Sequence, residues 1–462
     1  MNEATWQFVR SHAEEDVRQL ALAGCPHDGV DLKAALQQIA GMKTARQKLP
    51  SWAQRQDILY PPHLNMEQSS SEATARYKAE VAWRVCGLED CPGKTRGDGK
   101  STNHAKTAIL DMTLIDLTGG MGVDFSFMAR GFHRAVYVEQ QEQLCLLVRH
   151  NLPLLGLNEA EVACATAQDF IDSPAFRNRE DQGDAFVFLD PARRDLAGRR
   201  TYAISDCTPD ALALLPRLMT FASKVMLKLS PMLDWHKAVA DIQGVGRGNA
   251  VDGTRPHICH VAEVHCVATD GECKELLLVV KRGGPLRPLR VVCVEGDRRF
   301  CYEYATIASL PTFAEPPKPA EGMVLLVPGA ATMKAGCFRE LEETFGVRQV
   351  STNSHLFLAT AALTDCQGQT AGVADVSPHH EGRASSVAEW PGRVFHIQHV
   401  TGLNKKEIAP LGICQANVAV RNFPMTAEEL RRKLKMKDGG EVFVFATTLE
   451  NKQRVLLWCK KM

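Results

Sequence analysis

The sequence carries no net charge. Its 54 lysines and arginines balance 54 aspartates and glutamates, so no global field draws the chain to nucleic acid or an anionic membrane. Any polyanion site must be local. No uninterrupted apolar stretch reaches the roughly 18 to 20 residues of a membrane span. No signal peptide is expected either, because "MNEATWQFVRSHAEEDVRQL" puts charges where an apolar segment is required. Fifteen cysteines are scattered singly with no CxxC, which reads as reduced, mostly buried thiols and a cytoplasmic location. A G-x-S-x-G elbow is missing, which removes the usual Ser/His/Asp hydrolase. There is no internal repeat.

What is present suits a globular protein of two to four domains: 462 residues with 45% hydrophobic content. Residues 1–87 show helical periodicity, with Leu32, Leu36 and Ile39 on one stripe. Residues 88–105 are polar, Gly-rich and aperiodic, and read as a flexible linker. From about residue 106 to 284, short apolar runs alternate with helical stretches, which predicts βαβ units and a mostly parallel sheet. "HVAEVHCVATDGECKELLLVVKR" closes that region as a hairpin around Asp270-Gly271. A small α+β module is expected at 285–363, a second linker at 364–386, and strands with one amphipathic helix at 387–462.

The run "LIDLTGGMGVD", residues 114 to 124, ends a strand at Asp116 and breaks into glycines before a helix. Gly120 and Gly122 let the backbone turn tightly against a ligand outside the carboxyl end of the strand. The dinucleotide fingerprint G-x-G-x-x-G fails, because its third place is Phe125. A Walker A loop fails for want of a Lys-Ser/Thr pair after the glycines. What remains, D-x-x-x-G-x-G, is the pattern of an S-adenosylmethionine-binding first strand. A plain tight turn is the alternative.

Later strands add candidates. "AVYVEQ" ends in Glu139, about twenty residues past Asp116, where a carboxylate accepts both ribose hydroxyls. Capping of the next helix is its bland alternative. Gln168 and Asp169 follow a third short strand, placed either to meet an adenine amino group or to cap a helix. "DAFVFLDPARRD" ends a fourth strand in Asp190-Pro191, where proline turns the chain sharply. Arg193 and Arg194 behind it suit a phosphate or carboxylate in fork geometry, or a surface ion pair with Asp195. Lys228 and Ser230 of "KLSP" end the fifth strand. His257, Cys259, His260, His265, Cys266 and Cys273 crowd together, but strand alternation splits them between two faces, so no metal is expected.

Taken in order, Asp116 to Asp124, Glu139, "ATAQDF", "LDPARR" and "VMLKLSPMLD" resemble the motifs of class I S-adenosylmethionine-dependent methyltransferases. The nearer resemblance is to the uncharacterised bacterial group with a THUMP-like C-terminal domain. It rests on "LPSW…ILYPPHLNMEQSSSEATARYKA", "PGAATMKAGCFRE", "NSHLF", "PGRVFHIQHV" and "VRNFPMTAEELRRKLKMKDGGEVFVFATT", and covers nearly the whole chain. Thr118 departs from the usual first glycine of the loop. The resemblance implies an α/β fold: a Rossmann-like seven-stranded methyltransferase sheet at 106–284 behind an N-terminal helical domain at 1–87. C-terminal α+β modules follow, ferredoxin-like at 285–363 and THUMP-like at 387–462.

It further implies that Asp116, Thr118, Gly120, Gly122, Glu139, Gln168 and Asp169 hold S-adenosyl-L-methionine. Asp190, as proton acceptor or orienter, and Arg193 would serve catalysis, with Lys228 and Ser230 on the pocket wall. The Asp190-Pro191-Ala192-Arg193 stretch lacks the terminal aromatic of the amino-methylating pattern, which would stack on a flipped base. "RHNLPLLGL" is similar to a helix of several RNA-base methyltransferases, and THUMP domains bind tRNA, so the implied partner is RNA, tRNA or rRNA. Arg431, Arg432, Lys433, Lys435 and Lys437, with Lys405 and Lys406, form a basic cluster suited to phosphates. The alternative for that helix is a solvated face over packed Leu430 and Leu434.

Overall fold

The helical start of the chain is set by its caps. Asn2, Asp16 and Asp31 each accept backbone N–H groups at the start of α1 (Glu3–Ser11), α2 (Val17–Ala23) and α3 (Leu32–Lys48). Caps of this kind contribute about 0.5–2 kcal/mol each. Ile39 and Ala35 bury against Phe8, Val9 and Leu20, with Leu32 and Leu36 packed alongside. Ser71 caps α4 (Glu72–Val85), which differs from the others in being buried over most of its surface. The structure, a computed structural model, describes residues 1–24, 28–88, 110–177, 184–193, 204–246, 258–285, 287–304, 318–359, 375–376 and 387–462. The expected linker at 88–105 lies outside them except for buried Leu88.

Two compact units make up the chain: Met1–Val261 with Leu278–Pro285, and Ala262–Leu277 with Leu286–Met462. The first unit contains β1 (Leu110–Asp116), β2 (Phe132–Glu139), β3 (Glu161–Cys164), β4 (Ala185–Leu189) and β5 (Ala222–Leu229). The hairpin of β6 (Cys259–Thr269) and β7 (Glu272–Arg282) contributes residues to both units. Asp270 (φ 54°) and Gly271 (φ 75°) form its turn, both left-handed as a two-residue hairpin loop demands. These strands lie in the order 3-2-1-4-5-7-6, but the sheet, expected to have seven strands, has ten, the other three following beyond β6. β1 pairs in parallel with β2 and β4, β2 with β3, and β4 with β5. All five residues of β4 are buried, as a parallel strand covered on both faces requires.

Parallel strands need crossovers, and α5 (Val123–Met128), α6 (Glu142–Leu154), α7 (Ala167–Asp172), α8 (Ala211–Phe221) and α9 (Trp235–Gly246) alternate with them in sequence. Because β1 is flanked by β2 on one side and β4 on the other, the chain reverses its direction of winding there. A crevice opens at such a switch point outside the carboxyl ends of the strands. The register brings those ends level: Asp116 stands beside Tyr137 and Phe188, and Glu139 beside Cys164.

In the second unit β8 (Leu289–Glu295) pairs with β6 in parallel and with β9 (Arg298–Tyr304) as a hairpin. Asp375–Val376, within the stretch expected as a linker at 364–386, forms a two-residue strand beside β9, and the rest of that stretch lies outside the described residues. Next come β10 (Val324–Pro328), α10 (Ala330–Ala335), α11 (Phe338–Phe345) and β11 (Phe357–Ala359). They are followed by β12 (Gly392–Thr401), β13 (Asn417–Arg421), α12 (Ala427–Leu434), β14 (Val442–Thr448) and β15 (Arg454–Lys461). One seven-stranded sheet results, running from Arg348–Gln349 through β11, β10, β12, β15 and β14 to β13. It draws strands from both stretches expected as α+β modules. One face packs on Phe395, Ile397, Phe445 and Leu457, the other on Leu430, Val444, Leu456 and Trp458. No helix among the described residues is long and apolar enough to cross a membrane.

Helix α4 is locked to the sheet layer at one point. Trp83 Nε1 donates to the Met128 carbonyl at 2.8 Å, and a Cβ at Gly131 would sit 2.2 Å from that nitrogen. Gly131→Ala is therefore expected to destabilise the protein by about 1–3 kcal/mol through overpacking. A lowered urea midpoint with an unchanged slope is the expected readout.

Candidate functional site

The loop after β1 is built around three glycines with different duties. A Cβ at Gly119 would meet the Tyr137 ring at 2.1 Å, and one at Gly122 would meet Val148 at 3.1 Å. Both positions thus face the protein's own packing. Gly122, at φ 84°, is also the N-cap of α5. Gly120 has φ 57°, and nothing lies within less than 4.0 Å of where its side chain would be. Among the three, Gly120 presents bare backbone to open space. Its N–H donates to Glu139 Oε2 at 2.9 Å, and its carbonyl accepts from the Tyr137 hydroxyl.

Glu139 therefore shapes the loop directly. Its other oxygen accepts from Gln141 N at 2.9 Å, and the residue is only 8% exposed. Gln141 is the N-cap position of α6 and makes no side-chain cap bond, so Glu139 supports that helix start from outside it. An ionised carboxylate offers about four lone-pair sites, and these two bonds leave capacity for hydroxyl donors.

Thr118 ties the first strand to the fourth. Its N–H donates to Asp116 Oδ1 at 3.0 Å, and its hydroxyl accepts from Asp190 N at 2.6 Å. Asp190 Oδ2 in turn receives Lys228 Nζ at 2.5 Å. Lys228 lies 4.0 Å from Asp124, which is 3.2 Å from Lys78 Nζ. Ser70 completes the set, donating to Asp124 Oδ2 at 2.8 Å and accepting from Lys78 at 3.1 Å. Lys78 is fully buried on α4. Removing one partner of such a buried pair typically costs about 3–5 kcal/mol.

Asp116, Thr118, Gly120, Glu139, Asp190 and Lys228 thus meet at the carboxyl ends of β1, β2, β4 and β5. Gln168 and Asp169 lie exposed on α7 beyond β3. Thr166 is the cap there: its hydroxyl accepts from Asp169 N at 3.1 Å and bonds the Asp169 carboxylate at 2.7 Å, while Gln168 bonds Asp172 at 2.6 Å. Ser230 Oγ accepts from Met232 N at 3.3 Å. The Arg193 backbone pairs with Cys207 in a two-residue ladder. Its side chain and the whole of Arg194 lie outside what is described, as does His257. Arg431, Arg432 and Lys433 belong to the second unit, where Arg431 pairs with Asp438 at 2.5 Å and Arg432 with Glu428 at 3.3 Å. Among the described residues no group of three or more His, Cys, Asp or Glu is placed to hold a metal ion.

Sequence reasoning passed over Asp124, Lys78 and Ser70 as site residues. A signal existed for Lys78: it stands on the stripe Thr74, Lys78, Ala82 and Val85 of α4, all four of them buried. A lysine on such a stripe needs a countercharge inside the protein.

Residues 392–461 match the family described as THUMP domain-like, and residues 325–365 match a ferredoxin-like domain family. No curated protein matches the chain. The crystal structure of a proposed methyltransferase from Porphyromonas gingivalis W83 superposes with a TM-score of 0.69 at 24% identity, over 99% of this chain and 97% of that one. A proposed SAM-dependent methyltransferase from Streptococcus mutans gives a TM-score of 0.28 at 10% identity, over 44% and 48% of the two chains. An rRNA methylase from Streptococcus thermophilus gives 0.26 at 14% identity, over 37% and 87%. The first likeness spans both chains and establishes a shared fold. The other two are too partial to add to it.

Burial lifts the Asp116 carboxyl well above the usual carboxylate range, and the neighbouring charges of Asp124, Asp190 and Glu139 push the same way against the Thr118 N–H. A carboxyl raised on folding stabilises the native state below its unfolded value, about 3.9, and loses that contribution as pH rises through the folded value. Asp116→Asn carries no such charge. Its thermal stability relative to the wild type should therefore increase with pH. Parallel melting profiles across pH 4 to 9, with no divergence, would remove this account of Asp116.

Proposed function

We propose that the chain is an S-adenosyl-L-methionine-dependent methyltransferase that modifies a base in RNA, tRNA or rRNA, in the cytoplasm. One observation supports it most: bare backbone at Gly120, facing open space and held by Glu139, beside the buried Asp116. That set fits a nucleoside whose sugar hydroxyls need a carboxylate and whose approach needs a loop without side chains. When bound, the donor supplies a methyl group already activated on its sulfonium. The chain's own task is then alignment and exclusion of water, which accounts for large rate gains in such transfers. Glu139 would accept the ribose hydroxyls, with Asp116, Thr118, Gly120, Gly122, Gln168 and Asp169 as the remaining donor contacts. Asp190, held by Lys228, would orient the acceptor or take its proton, with Arg193 and Ser230 lining that side.

The RNA part of the reading is supported by the THUMP domain-like match and by the basic residues of α12. Arg431 and Arg432 are engaged in partly or fully exposed ion pairs, which are worth only about 0–1 kcal/mol, so both can turn to phosphates at little cost. Lys433, Lys405 and Lys406 are exposed. The absence of an aromatic after Asp190-Pro191-Ala192 favours a second reading, in which the acceptor is a protein or small molecule.

Incubating the protein with donor labelled in its methyl group and with bulk tRNA, rRNA or protein separates the two. Label is expected in RNA, and label in protein alone would reject the RNA assignment. Glu139→Ala should weaken donor binding about tenfold or more, from the loss of a charge-assisted bond of ~1.5–3 kcal/mol. Calorimetry that finds unchanged affinity would reject the ribose contact.

A further inference from the structure

The second unit holds two arginines that no carboxylate pairs with among the described residues. Arg421 ends β13 half-buried, and Arg393 opens β12 with its guanidinium 5.8 Å from the Phe395 ring centre. Neither makes an ion pair or hydrogen bond among the described residues. Strand alternation puts both on one face: Arg421 follows Ala419, and Arg393 precedes Phe395 and Ile397, all of which pack on the same core. Thr447 stands directly opposite Arg421 on β14 and follows Phe445 of that core. The threonine is fully buried, yet its hydroxyl makes no hydrogen bond among the described residues.

A loop brings in the fourth member. Ser351 Oγ donates to the Thr448 carbonyl at 2.6 Å, and Asn422 Nδ2 donates to the Thr352 carbonyl at 3.3 Å. These bonds fasten the loop to the ends of β13 and β14. His355, three residues further on, stacks on Phe338 with ring centres 4.1 Å apart, and its buried Nδ1 has no partner among the described residues. His355 (φ 51°), Asn353 (φ 63°) and Asn422 (φ 49°) all hold left-handed backbone. Such conformations persist only where surrounding structure enforces them, and they gather at ligand sites. The nearby acid, Glu450, is engaged by the backbone N–H and hydroxyl of Thr352.

Burial, and then Arg393, hold the Arg421 guanidinium below its ordinary value, while burial and then Arg421 do the same to His355. Among the described residues no carboxylate pairs with either arginine. A multivalent anion would relieve these like charges, and guanidinium forks match a tetrahedral oxyanion in geometry. We propose that Arg421, Arg393, His355 and the Thr447 hydroxyl form a binding site for a phosphate group on the C-terminal sheet. The phosphate belongs either to an RNA strand or to a small phosphorylated molecule. The site is independent of the donor crevice, so either assignment can fail without the other.

The test uses the full chain with isotope-labelled histidine, titrated with inorganic phosphate and, separately, with a short single-stranded RNA. Phosphate should shift the His355 ring resonances, and Arg421→Gln should weaken that binding at least tenfold. RNA that binds more tightly than phosphate, with the same dependence on Arg421, identifies a strand phosphate. RNA no tighter than phosphate identifies a small ligand. Should Arg421→Gln unfold, Arg393→Gln carries the test from an exposed position. No shift with either probe, or unchanged binding in every folded arginine variant, overturns the proposal.

Discussion

A single carboxylate governs the geometry of the first unit's crevice. Glu139, at the end of β2, accepts the N–H of Gly120 from the neighbouring loop and that of Gln141 from its own. Without it, two partly buried backbone donors would lose the one carboxylate that joins the loop to the start of α6. The register of β1 against β2 is what allows the contact, since Asp116 stands level with Tyr137 and the loop folds back over the strand end. Tyr137 closes the same loop from beneath, its ring filling the space that a side chain at Gly119 would need. Shape and binding capacity here come from the same few atoms.

Much of this was legible from the sequence. An apolar run that stops at an acid and breaks into glycine marks the end of the first strand, and further short runs that stop at polar or breaking residues mark a parallel sheet. The hairpin at Asp270-Gly271 announced itself through a dipeptide that tolerates left-handed backbone. Glycines were harder to read, because sequence cannot distinguish a position facing open space, as at Gly120, from one backed by a ring or a valine, as at Gly119 and Gly122. The cap of α7 belongs to Thr166, where the sequence had offered Asp169. The difference is three residues and turns on which backbone torsions are helical.

Pairings between distant elements were not legible at all. Lys78 meets Asp124 only because α4 packs on α5, and Arg421 comes to stand opposite Thr447 only through the register of β13 against the next strand, β14. The sequence pattern records which side chains are unusual for their position. It does not record what they meet. In both cases the useful clue is a polar group on a face that is otherwise apolar.

The burial of Lys78 ties the beginning of the chain to the chemistry of the crevice. Stripped of α4, Asp124 would keep Lys228 as its cation, and Lys228 would then be shared between two aspartates 4.0 and 2.5 Å away. Asp190 would lose the undivided attention of its lysine. Helix α4 therefore sets the charge balance around Asp124, Lys228 and Asp190, and its loss would redistribute that charge without unpairing a strand.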